Sequence, residues 1–70
     1  MRKIKKEFKD LKVGDIVECK LCNREVLAIC GKMIAVSRAF SAGYDGWWTD
    51  ETFIDKEYGQ GWTGYIVVDD

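Results

Sequence analysis

The most reactive side chains in this 70-residue chain are three cysteines, Cys19, Cys22 and Cys30. Cys19-Lys-Leu-Cys22 has the spacing of a metal-binding or redox pair. A structural zinc takes four ligands, and the sequence has no histidine and no second Cys-x-x-Cys, so Asp15 or Glu18 would have to complete the set. On a regular strand, residues three apart point to opposite faces, so both sulfurs reach one metal only if a turn at residues 22–24 bends back. A thioredoxin-type dithiol opens a helix after a strand, which is not the setting here. Reduced thiols serving as small apolar residues are the simpler reading, with no cofactor and no metal. A cysteine nucleophile would also lack a histidine base. The remaining acid–base candidates are carboxylates in turns, where solvation and capping explain them. Gly59-Gln-Gly61 is a turn rather than a phosphate cradle. The expectation is a protein that is not an enzyme.

Binding chemistry is better represented. Eight of the nine aromatic residues fall within residues 40–65. Tyr44-Asp-Gly-Trp47-Trp48 places three large rings within five residues beside a glycine-containing loop. On a strand Trp47 and Trp48 face opposite ways, so one closes a core and the other tends to the surface. An exposed platform of Tyr44, one tryptophan and Tyr58 or Trp62 would suit a base, a nucleotide or a partner's apolar anchor. Arg38 beside this loop is placed to pair with a phosphate or carboxylate, or simply to be solvated at a strand end. Asp50 and Glu51 follow Thr49 as a capping hydroxyl and two carboxylates at a helix start, and they belong to the same candidate surface.

Charge is polarised as strongly as the rings. Residues 1–12 carry six basic groups against two acidic ones, and residues 39–70 carry Lys56 against seven acids. The whole chain nets −1, so the 58 residues after the basic start net −5 and would repel a polyanion. Nucleic acid is therefore disfavoured as a partner. The acidic, aromatic region could instead meet a basic partner or the basic start of a second copy, which makes a homo-oligomer admissible.

These residues need elements to hold them. Val17-Glu-Cys-Lys-Leu21 alternates apolar and charged residues, the mark of a half-buried strand. Cys22-Asn-Arg24 reads as a hairpin turn because asparagine tolerates the left-handed conformation. Glu25–Cys30 and Met33–Phe40 read as strands joined at Gly31-Lys32, with Ile34 and Val36 on one face of the second. Trp47-Trp48 reads as a fourth strand, residues 50–58 as one short helical or 3-10 turn with Gly59 as its C-terminal cap, and Tyr65–Val68 as a last strand. A 70-residue chain makes one domain with a thin core. The expected organisation is a basic N-terminal arm or helical turn over 1–10 and a barrel over 11–70. No apolar run of about 20 residues and no export-type apolar segment is present, so a cytoplasmic protein with no membrane span is expected.

Leu11-Lys-Val-Gly-Asp-Ile-Val17, followed by a hairpin and by Val26-Leu-Ala-Ile-Cys-Gly-Lys-Met-Ile-Ala-Val36, resembles the SH3-like barrels of small bacterial and phage proteins. Gly46-Trp-Trp-Thr-Asp-Glu-Thr-Phe53 is similar to a segment of small phage proteins of that type. The resemblance covers residues 11–54 and implies an all-β fold, a small SH3-like barrel of about five strands. For function it implies a small non-catalytic binding protein of phage type, a host-takeover or anti-defence inhibitor that occupies a host protein in the host cytoplasm. Two alternatives stay open: a sponge that sequesters a nucleotide signal as an oligomer, and a nucleic-acid-binding module.

Overall fold

The computed structural model describes residues 1–38, 43–53 and 61–69. Six antiparallel strands form one coiled sheet: β1 (Arg2–Lys5), β2 (Ile16–Glu18), β3 (Asn23–Cys30), β4 (Met33–Ser37), β5 (Tyr44–Trp48) and β6 (Tyr65–Val68). Their spatial order is β1-β6-β2-β3-β4-β5. Strands β2 to β5 make a meander, a short helix α1 (Asp50–Phe53) follows it, and β6 returns to lie beside β2. The fold is thus all-β with a short helical segment, as the sequence suggests, and has six strands where about five are expected. Among the described residues, no helix is long and apolar enough to cross a membrane.

The added strand is β1. Arg2–Lys5, expected as an arm or helical turn, pairs along its whole length with β6, from Arg2 opposite Val68 to Lys5 opposite Tyr65. The helical element of this region is a single 3-10 turn at Phe8–Asp10. Placing three basic residues on a four-residue edge strand is a common guard against edge-to-edge pairing.

The first hairpin also differs from expectation. β2 ends at Glu18 and the chain bends through residues 19–22, so Asn23 and Arg24 are paired strand residues rather than turn residues. Arg24 stands opposite Val17 on the core face and is buried, at 3% exposure. The turn at Gly31-Lys32 is where the sequence places it, with Cys30 opposite Met33 and Gly31 at φ 59°.

One core lies inside the coil. Leu11, Val17, Val26, Ile34, Val36 and Ile66 fill it from the strands and their leads. Phe53 of α1 and Trp62 close one end, with Phe8 of the 3-10 turn packed against both at ring separations of 6.2 and 6.3 Å. A bulge between Val26 and Ala28 bends β3, the long strand shared by both halves of the sheet.

Candidate functional site

The candidate residues fall into separate places. Trp62 is a core residue, 8% exposed, with its ring 5.8 Å from that of Phe53. Its indole N–H donates to the Tyr65 carbonyl at 3.0 Å. That bond satisfies the one polar atom of the ring, so Trp62 can be buried and is not part of an exposed platform. Trp48 is half-buried against the core, and its Nε1 has no hydrogen-bond acceptor among the described residues. Trp47, on the opposite face of the strand, is 43% exposed and Tyr44 is 58% exposed. Arg38 is exposed at the end of β4, where its backbone N–H donates to Gly43 at 3.1 Å. Tyr58 lies outside the described residues, as does the expected Gly59 cap.

Asp50 and Glu51 lie at the other end of β5, six residues from Tyr44, or roughly 20 Å along a strand. Thr49 caps them as the sequence indicates. The Thr52 N–H donates to the Thr49 hydroxyl at 3.4 Å, and the Thr49 N–H donates to the Thr52 hydroxyl at 2.9 Å. This is a reciprocal capping box in which threonine takes the place usually held by Glu or Gln. Asp50 and Glu51 are thereby left facing solvent, without an ion pair among the described residues.

They border a cleft of about 550 Å³, open to solvent, which the sequence does not announce because its walls come from three separate segments. Phe8, Leu11, Ile29 and Ile34 give it an apolar floor. Lys9 from the 3-10 turn and Lys32 from the β3–β4 turn line it together with the two carboxylates. The size is that of a small-ligand or anchor-residue site.

The cysteines do not converge. Cys22 and Cys30 bracket β3, eight residues and roughly 25 Å apart, too far to ligate one ion. Cys19 is buried, and burial pushes its thiol up to about 11 against the opposing pull of the Arg24 charge. At neutral pH it is a protonated, enclosed apolar residue. The described residues contain no cluster of three or more metal-ligating side chains.

The basic start is partly neutralised. Lys3 pairs with Glu18, Lys6 with Asp15 at 2.9 Å and Lys9 with Glu7 at 3.3 Å. The hydrogen bond from Lys3, and a second from the Thr63 hydroxyl at 2.9 Å, hold the Glu18 carboxyl below its ordinary range. A comparison with known proteins finds no matching family model, no matching curated protein and no matching solved structure.

Proposed function

We propose that this is a small non-catalytic binding protein that takes an apolar side chain of a partner protein into its cleft. A basic neighbour of that side chain would be drawn to Asp50 and Glu51. The observation that supports the reading is the pairing of an apolar floor with two carboxylates that lack a counter-ion among the described residues. An anchor residue in a desolvated pocket with a charged rim is the arrangement that concentrates binding energy in protein interfaces. The state of Cys19, enclosed and protonated at neutral pH, fits a protein whose thiol is packing rather than a nucleophile. In the phage setting that the sequence resemblance implies, occupying a host protein in this way would serve inhibition. A nucleotide's phosphates would meet Asp50 and Glu51 as well as Lys32 and Lys9, the latter already paired with Glu7, so the charges of the cleft do not favour it over a basic protein segment.

The test is affinity capture from bacterial lysate with the wild-type chain and with the exposed double variant Asp50→Lys/Glu51→Lys. The expected result is a protein retained by the wild type, released by Ile29→Asp and lost with the double variant. Equal retention by all three chains would overturn the reading. So would retention of nucleic acid alone, dependent on Lys5 and Lys12 and released steeply by salt.

A further inference from the structure

The sheet's outer surface is divided. On one half, Lys3 and Lys5 of β1, Glu18 of β2 and Glu25 at the start of β3 alternate outward and are charged. On the other half no outward residue of β4 or β5 whose side chain is described carries a charge. The register fixes its rows: Cys30 beside Met33, then Ala28–Ala35–Trp47, then Ser37 beside Tyr44. Leu27 stands at the bulge. Ala35 is buried although it lies outside the core cluster, so the larger side chains around it already cover it. Leu27, Met33, Trp47 and Tyr44 remain 40%, 38%, 43% and 58% exposed.

From these residues we infer that a second copy of this chain docks on the outer face of β3–β5 to form a two-fold dimer. The proposal shares Lys32, at the β3–β4 turn, with the cleft reading and otherwise rests on the opposite face of the sheet. A two-fold interface sets one patch against itself, so it must tolerate its own charges. This face brings no described like charges together, whereas the basic β1 half set against itself would.

The charges at the ends of the face also choose an orientation. Glu25 lies at one end of β3 and Lys32 in the turn at the other, roughly 20 Å away, and neither has an ion pair among the described residues. If the axis runs across the strands, the strands of the two copies are antiparallel, and each Lys32 meets the partner copy's Glu25. If it runs along the strands, Lys32 meets Lys32. The antiparallel arrangement is therefore the one assigned. The four partly exposed side chains offer roughly 400 Å² per copy, taking 150–250 Å² for a large ring. That is about half of a standard interface side, so the dimer expected is a weak one rather than an obligate one.

Sedimentation equilibrium under reducing conditions tests this, with Cys30→Ser as background so that a disulfide cannot mimic association. Wild type should move from 8.0 kDa toward twice that mass over the micromolar range. Trp47→Asp should raise the dissociation constant at least about thirtyfold, with the fold verified by circular dichroism. Glu25→Lys and Lys32→Glu should each weaken association up to about fivefold, and the two together should restore it. A monomer throughout the range would overturn the proposal and leave the face to a partner of different sequence. A dimer indifferent to Trp47→Asp would place the interface elsewhere, and failure of the charge swap to restore association would refute the antiparallel orientation.

Discussion

Two sets of aromatic rings occupy this molecule, and their contrast explains most of what residues 40–65 do. Phe53 and Trp62 are buried at one end of the core, with the partly buried Phe8 from the basic start packed against both. Tyr44 and Trp47 stand on the outer face of β5 with much of their surface in water. Composition does not separate Phe53 and Trp62 from Tyr44 and Trp47, since all four lie among the same acidic residues. Strand alternation separates Trp47 from Trp48, and a single hydrogen bond separates Trp62 from both. The Trp62 N–H reaches the Tyr65 carbonyl, so its ring enters the core with no polar atom unsatisfied. Strand parity places Trp47 and Trp48, the second of which turns inward although its Nε1 finds no acceptor among the described residues, and the charge of the neighbourhood decides neither.

The sharpest way to break that contrast is to delete a ring from the buried set. Trp62→Ala removes a core side chain in contact with two other rings and is expected to cost about 3–5 kcal/mol of folding stability. In a domain of this size that approaches the whole stability, so the variant should be largely unfolded by circular dichroism at 37 °C. A loss below about 1 kcal/mol in urea titration would mean that Trp62 is not part of the core.

A subtler change tests what holds Trp62 in place. Gly61, the residue before it, has φ 37°, and a Cβ there would lie 2.8 Å from Cγ of Lys20. Gly61→Ala is therefore expected to cost about 2 kcal/mol, part from the left-handed backbone and part from the clash. Lys20 is exposed and its stem can move, so Gly61→Ala with Lys20→Ala should recover most of the clash component, the Lys20 Cβ at 3.2 Å remaining, and leave about 1 kcal/mol. Full recovery in the pair would show that the backbone conformation at residue 61 is unstrained for alanine.

Much of the fold is legible in the sequence because period-2 alternation and glycine turns are local signals. Gly31-Lys32, the Ile34/Val36 face, the Thr49 cap and the last strand all follow from a few adjacent residues. The illegible parts depend on partners far along the chain. Arg2–Lys5 shows only basic residues around Ile4, and it becomes a strand because β6, more than sixty residues later, offers an edge. Asn23-Arg24 carries turn chemistry locally, yet pairing with Val17 and Glu18 draws it into β3. The candidate site divides in the same way. Asp50, Glu51 and Tyr44 are exposed and recognisable as candidates from sequence, whereas strand alternation says only that one of Trp47 and Trp48 faces out, and the structure makes it Trp47. The cleft that the two acids border is not, because Phe8, Ile29 and Ile34 meet there only after the sheet coils.

The outer set gives the smallest expected effect and the finest test of the comparison. Trp47→Thr keeps a strand-favouring residue on β5 while removing a ring whose outward half is already in water. The cost should be about 1 kcal/mol, a third or less of that for Trp62→Ala, when measured well below the concentration at which copies associate. Fluorescence supplies an independent readout from the same protein. Iodide should quench Trp47 strongly, Trp48 weakly and Trp62 least, so the Trp47→Thr variant should lose most of the iodide-accessible emission while keeping the buried component. At concentrations where the two-fold dimer forms, the Trp47 signal of the wild type should itself become protected. Strong iodide quenching that survived Trp47→Thr would put the water-exposed ring at Trp48 or Trp62, and the division between inner and outer rings would fail with it.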